Sequence, residues 1–322
     1  MSKLKLLVSH REFPREVIDK LSEKFDVQII NKLMIESTKQ DLLDNIPGKF
    51  GLLFSYSTIV DEDVVAAAGP SLRVVSTTSM GYESVDTSAL KKRGIVLGNS
   101  TLVTADRVAE LTIGLLIATA RNLMTTNQQM KSGNYPISSR IGQGLANSVV
   151  GIIGCGNIGI SVAGMLRGFK LSELLYTSRK PKPAVECLGG KYVLVDDLVR
   201  LSDFIILTSV LVPETKFIIN KDRLALMKSN AVIINVGRGQ LIDQDALIDA
   251  LRNKYIRGAG LDVMTPEPLP LDNPLMEMEN VVLLPHIAGR NTVEASVEKA
   301  QLAADNILAV ANNQPVPCQV EL

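Results

Sequence analysis

The chain has 322 residues, enough for about two domains of ordinary size. Apolar residues make up 46% and charged residues 21%, which supplies packed cores and excludes a disordered chain. Lys+Arg and Asp+Glu both number 34, so no overall field gathers nucleic acid or an anionic membrane surface.

Met1-Ser2-Lys3-Leu4 leads straight into an apolar segment and lacks the cleavage region of a secretory signal. Over the first hundred residues, short β-rich runs alternate with helical patterns. Strands are predicted at Leu4–Ser9, Val27–Ile30, Gly51–Ser55, Leu72–Ser76 and Ile95–Gly98, with helices such as Pro14–Lys24 and Asp61–Ala68 between them. Pro14 is expected in the first helical turn. Several runs are apolar throughout, as parallel strands covered on both faces require. A long helix is predicted over Thr104–Lys131, followed by an irregular loop with Gly133, Pro136, Ser138, Ser139, Gly142 and Gly144.

A second alternating unit begins at Val149–Ile153. Its further strands are predicted at Leu174–Thr177, Phe204–Thr208, Ala231–Asn235, Gly258–Leu261 and Val281–Leu284. Helices fit Ile158–Arg167, Val195–Leu201, Asp243–Asn253 and a terminal Thr292–Asn312. Alternation of this kind implies parallel, doubly wound α/β sheets. No charge occurs between Arg140 and Arg167, but seven glycines there fit a strand, a turn and a helix better than a membrane span. Cys155, Cys187 and Cys318 are dispersed and odd in number, which fits a reducing compartment and no metal cluster. The expectation is a soluble, cytoplasmic chain that uses no membrane, nucleic acid or metal.

Gly154-Cys155-Gly156-Asn157-Ile158-Gly159 is a GxGxxG pattern, weak alone but here placed between an apolar strand and a helix. Its glycines allow a tight turn, backbone approach to a pyrophosphate and close helix–strand packing, with helix N–H groups facing the anion. An NAD site usually carries Asp or Glu after the next strand. Here that strand runs into Ser178-Arg179-Lys180-Pro181-Lys182, where a hydroxyl and cations suit a 2′-phosphate. NADPH is therefore expected over NADH; a solvated basic loop is the bland alternative.

The chain holds two histidines. His10, beside Arg11 and Glu12, reads as a polar strand-end residue. His286 lies just past a strand of the nucleotide unit, at the edge where doubly wound sheets bind ligands. Arg238 sits between glycines after another strand, and Glu267 sits between prolines after a third. A 2-keto acid needs a cation for its carboxylate, which an arginine fork supplies. Hydride delivered to its carbonyl carbon leaves charge on oxygen, which a positioned imidazolium neutralises. Arg238 is thus expected to bind substrate, His286 to act as general acid, and Glu267 to hold the imidazole in its charged form.

With GCGNIG, NVGRGQLID, GAGLDVMTPEP and LLPHIAG in this order, the chain resembles the D-isomer-specific 2-hydroxyacid dehydrogenase family, closest to its glyoxylate/hydroxypyruvate reductase branch. The resemblance implies a flavodoxin-like substrate-binding domain (1–100 and 288–322), an inserted Rossmann NAD(P)-binding domain (101–287) and a cleft between them. It implies that Arg238, Glu267 and His286 form the catalytic set and that Met80 and Gly81 receive the substrate carboxylate. Val210, Val236, Asp262 and Ala288 fall at cofactor-lining positions, Asp262 near the nicotinamide. It also implies a homodimer joined through the nucleotide domain and the Thr104–Lys131 region. The chain departs from the branch in Tyr82 and Glu83, in the absence of tryptophan, in a short Asn134–Gly144 loop, and in Ala288-Gly289 where Gly-Ser is common. A phosphoglycerate dehydrogenase is a neighbouring alternative, for which Arg11, Arg15 and Arg73 offer cations. A dinucleotide-sensing corepressor is an alternative of another class.

Overall fold

The computed structural model describes residues 3–55, 58–101, 105–134, 141–289 and 292–322. Two compact units divide the chain: Met1–Thr104 with Arg290–Leu322, and Ala105–Gly289. The first contains β1 (Leu4–Val8), α1 (Arg15–Lys24), β2 (Phe25–Ile29), α2 (Lys39–Asn45), β3 (Gly51–Phe54), α3 (Glu62–Ala68), β4 (Val74–Thr77), α4 (Thr87–Lys92) and β5 (Val96–Gly98). The second contains α5 (Ala105–Ala120), α6 (Leu123–Lys131), β6 (Val149–Ile153), α7 (Asn157–Leu166), β7 (Glu173–Thr177), α8 (Pro183–Glu186) and β8 (Gly190–Tyr192). It continues with α9 (Val195–Leu201), β9 (Phe204–Leu207), α10 (Lys221–Leu226), β10 (Val232–Asn235), α11 (Gln244–Arg252), β11 (Gly258–Leu261) and β12 (Val281–Leu283). The terminal helix α12 (Val293–Ala311) belongs to the first unit.

The first sheet is parallel, in the order β2-β1-β3-β4-β5. Alternate residues of its strands enter opposite cores, as the strand period of two demands. Leu7, Leu52, Phe54 and Val75 pack with Val64 and Leu90 on one face. Leu6, Val8, Leu53 and Val74 pack with Val17, Leu21, Ala303 and Ile307 on the other. The second sheet is also parallel, in the order β12-β11-β10-β9-β6-β7-β8. Its strands β6, β7, β9, β10 and β11 are buried almost throughout, so their apolar runs need no polar alternation.

Two expectations are corrected. The predicted single helix over Thr104–Lys131 is two helices, α5 and α6, bent by 63°. Asn122 makes the break in the left-handed conformation (φ 53°), which asparagine adopts more readily than most residues. Pro14 stands at the N-cap of α1, one position ahead of the first turn, with extended ψ. Ser138 and Ser139 lie outside the described residues. Among the described residues, no single helix is long and apolar enough to cross a membrane.

Asn306 joins α12 to the first sheet. It has no exposed surface; its amide donates to Asn99 O at 3.0 Å and Ser76 Oγ at 3.3 Å. Its Oδ1 accepts the Cys318 N–H at 3.0 Å. Truncation leaves these partners buried and unsatisfied. We expect Asn306→Ala to lower stability by about 2 kcal/mol, read as a lower urea midpoint; an unchanged midpoint would contradict this role.

Candidate active site

The carboxyl edge of the second sheet gathers the groups singled out in the sequence. In strand order they are His286 after β12, Asp262 and Glu267 after β11, and Val236 and Arg238 after β10. Val210 follows β9, the Gly154–Gly159 turn follows β6, and Ser178, Arg179 and Lys180 follow β7. The row from β7 to β12 spans roughly 24 Å at about 4.8 Å per strand, room for an extended ligand.

Glu267 and His286 are directly bonded, Oε2 to Nδ1 at 2.7 Å. The other carboxylate oxygen accepts the Met264 N–H at 3.0 Å. Burial pushes the Glu267 carboxyl up, but the His286 bond and charge, the Met264 N–H and the Arg238 charge together hold it below the usual range. The Nδ1 bond leaves Nε2 as the imidazole nitrogen free for chemistry. Arg238 lies in a turn held by Asn235, whose amide donates to Arg238 O at 2.9 Å and whose Oδ1 accepts the Gly237 N–H at 3.1 Å. A Cβ on the next residue, Gly239, would stand 2.1 Å from Met264 O. The Arg238 turn therefore packs directly on the residue whose N–H holds Glu267.

Asp262 has no exposed surface. Its oxygens accept the Ile287 and Ala288 N–H groups at 2.8 and 2.9 Å, and its carbonyl accepts the His286 N–H at 2.8 Å. Sequence reasoning placed Asp262 among cofactor-lining residues; the structure adds that both its oxygens clamp the His286 segment. No short-range pattern announces that clamp, since its partners lie 25 and 26 residues away.

The GxGxxG turn has the shape its residues demand. Gly154 has φ 98°, and a Cβ there would meet Ser209 at 2.4 to 2.6 Å. A Cβ on Gly156 would meet nothing within 4 Å, so space remains open beside the N-terminus of α7, which has no side-chain cap. Open space, a positive φ and uncapped N–H groups fit a bound phosphate. Beyond β7, Ser178 Oγ donates to Lys180 O at 2.5 Å, while Arg179 and Lys180 are exposed. Two tyrosines missed in the sequence brace this loop. Tyr176 Oη accepts the Lys182 N–H at 2.7 Å, and Tyr192 Oη donates to Ser178 O at 3.3 Å.

Met80 and Gly81 belong to the other unit, just past β4, where Asn99 Nδ2 donates to Met80 O at 2.9 Å. Arg11, Arg15 and Arg73 are all exposed. Arg11 donates to Asn31 and Arg15 pairs with Asp19. Among the described residues, no group of His, Cys, Asp and Glu is arranged to hold a metal.

Residues 113–288 match the model of the D-isomer specific 2-hydroxyacid dehydrogenase NAD-binding domain. The chain is 39% identical to a glyoxylate reductase/hydroxypyruvate reductase of Mus musculus over 289 residues, 88% of each chain. It is 36% identical to glyoxylate/hydroxypyruvate reductase B of Yersinia pestis (strain Pestoides F) over 307 residues, 94% of this chain and 93% of that one. Among solved structures it resembles an NADPH-dependent glyoxylate/hydroxypyruvate reductase from Sinorhizobium meliloti, in complex with NADP and malonate. That match has a TM-score of 0.83 and 30% identity, covering 99% of this chain and 97% of that one.

The folded Glu267 carboxyl titrates lower than an unfolded one, so its bonding to His286 favours the fold above the ordinary glutamate range. That contribution is lost as pH falls through the lower, folded value. We expect carbon-13 NMR to find Glu267 titrating below the ordinary glutamate range. In His286→Leu, which has no donor, it should move upward, because burial remains while the opposing bond and charge are gone. No movement in that variant would disprove the coupling.

Proposed function

The chain belongs to the D-isomer-specific 2-hydroxyacid dehydrogenase family, and from that premise we propose that it reduces small 2-keto acids of the glyoxylate and hydroxypyruvate kind to 2-hydroxy acids, with NADPH as preferred reductant. The observation that carries this reading is the bonded His286–Glu267 pair, at 2.7 Å, on the same sheet edge as Arg238 and the glycine turn.

A nicotinamide cofactor held at this edge would supply the hydride for the substrate carbonyl carbon. Arg238 binds the substrate carboxylate through its planar fork of donors. The family resemblance assigns the Met80–Gly81 backbone to substrate carboxylate binding as well. His286 gives the proton on Nε2 to the carbonyl oxygen as that oxygen gains negative charge. Glu267 fixes the ring through Nδ1 and provides its charged form with a counter-charge.

The turn from Gly154 to Gly159, with Asn157 and Ile158 at the start of α7, cradles the pyrophosphate. Val210, Val236, Asp262 and Ala288 line the rest of the cofactor site. NADPH preference rests on the end of β7, where Ser178, Arg179 and Lys180 replace the carboxylate of an NAD site. The NADPH dependence of the Sinorhizobium meliloti neighbour supports the same choice.

We also read the enzyme as a homodimer joined through the α5–α6 region, where Leu123, Met124 and Met130 stand exposed. Light scattering should then give twice the monomer mass, and a monomer at micromolar concentration would remove this reading.

Steady-state assays with glyoxylate and hydroxypyruvate should show a higher kcat/KM for NADPH than for NADH. Arg179→Ala should erode that ratio about tenfold, since it deletes one charged partner of the 2′-phosphate. His286→Ala should lower kcat by about 10²–10⁴-fold while NADPH binding persists. Near-normal turnover in that variant defeats the assignment of the acid, and a wild-type preference for NADH defeats the assignment of the cofactor.

A further inference from the structure

The first unit contains a second histidine that the reaction above leaves unused. His10 follows β1, is 4% exposed, and stacks on Phe13 with ring centroids 4.4 Å apart. Its Nδ1 accepts the Glu12 N–H at 3.2 Å, and its Nε2 lies 2.9 Å from Ser55 Oγ. Ser55 follows β3, and its Oγ lies 3.0 Å from Thr78 Oγ1, just past β4. Because β1, β3 and β4 are neighbours in the sheet, three adjacent strand ends deliver one polar side chain each to a single row.

Hydrogen-bonding capacity gives that row a direction. Nδ1 is engaged as an acceptor, so a neutral ring carries its proton on Nε2 and donates it to Ser55. Burial, only partly opposed by Glu12, lowers the His10 imidazole to about 4, so the ring is neutral near pH 7. A charged ring would carry a proton on each nitrogen and set Nδ1–H against the Glu12 N–H. Ser55 accepts from His10, and Thr78 Oγ1 is the acceptor within reach of its own O–H, so Ser55 donates there. Thr78 Oγ1 is then an acceptor already, and its remaining proton is available to a further group. Thr78 is half-buried, not sealed.

Thr78 also opens the turn that ends at Gly81. Its N–H donates to Phe54 O at 3.1 Å, Ser79 O accepts the Ser100 N–H at 3.1 Å, and Asn99 holds Met80 O. The turn is thus tied to the sheet at successive residues, and the Thr78 hydroxyl is ordered relative to the Met80–Gly81 backbone.

We infer that Thr78 is a further substrate-binding residue, its hydroxyl donating to the carboxylate of the 2-keto acid, and that His10 and Ser55 are positioning residues that set the direction of that proton. The inference rests on the reading that Met80–Gly81 receives the carboxylate, and extends it from backbone donors to a side-chain donor. A carboxylate is the acceptor that gains most from an added O–H beside N–H groups, because charge-assisted hydrogen bonds are about twice as strong as neutral ones.

Thr78→Val keeps the shape and deletes the donor. It should raise KM about tenfold for glyoxylate and hydroxypyruvate alike, with kcat and the KM for NADPH within about twofold. Thr78→Ser should restore KM. His10→Ala should raise KM in the same pattern, His10→Gln should recover it by replacing the Nε2 donor, and His10→Ala should add little on a Thr78→Val background. Three results overturn the inference: an unchanged KM in Thr78→Val, a rise confined to hydroxypyruvate, or independent effects of His10 and Thr78. Gly81→Pro removes a backbone N–H while sparing the hydroxyl row. An unchanged KM in that variant overturns the Met80–Gly81 reading itself; a raised KM there with normal Thr78→Val kinetics overturns only the role of Thr78.

Discussion

The arrangement on the second sheet depends on one buried carboxylate. Asp262 has no exposed surface, and burial pushes its carboxyl above the usual range against the pull of two N–H donors and the His286 charge. A carboxylate in that position is tolerated only when its oxygens are satisfied. The chain after β12 satisfies them by turning Ile287 and Ala288 toward it. That turn holds His286 at φ 54°, a left-handed conformation that costs an ordinary residue about 1–2 kcal/mol. Two charge-assisted hydrogen bonds offset the cost. The backbone therefore aims the imidazole, and Glu267 has only to fix its rotation.

Glu267 is registered in turn by neighbours that carry no charge. Met264 supplies an N–H to one of its oxygens, and Gly239 packs where any Cβ would strike Met264 O. Asn235 shapes the intervening Arg238 turn from the end of β10. Arginine, glutamate and histidine thus share one framework of strand ends, and a shift in any of the three adjacent strands β10, β11 and β12 moves the others.

Much of this was legible in the residues. Uniformly apolar runs such as Phe204–Leu207 and Val232–Asn235 mark parallel strands, and the context of Gly154–Gly159 marks the dinucleotide turn. The types of Arg238, Glu267 and His286 are those that the proposed carboxylate binding and proton transfer would need. What escaped depends on contacts distant in sequence or on a single backbone angle. Asn122 is the single local sign of a bend, and the good helix formers on either side of it mask that sign. The short α2 and α4 are fixed by Asp41 and Asp86 at their N-terminal ends rather than by a long apolar period. His10 reads as a polar strand-end residue and no more, because Ser55, which it bonds, and Thr78 beyond it follow other strands.

The two histidines show how surroundings select the chemistry of one side chain. Each follows a strand at the carboxyl edge of a parallel sheet, where successive strands bring polar ends side by side. At His286 the ring is half-exposed and bonded to a carboxylate, an environment that accommodates charge and leaves Nε2 open. At His10 the ring is buried and bonded to an uncharged hydroxyl and a backbone N–H, an environment that keeps it neutral and gives each nitrogen one fixed role. A proton donor must gain and lose its proton, so it needs the first setting. A group that orders neighbouring hydroxyls must hold one tautomer, so it needs the second.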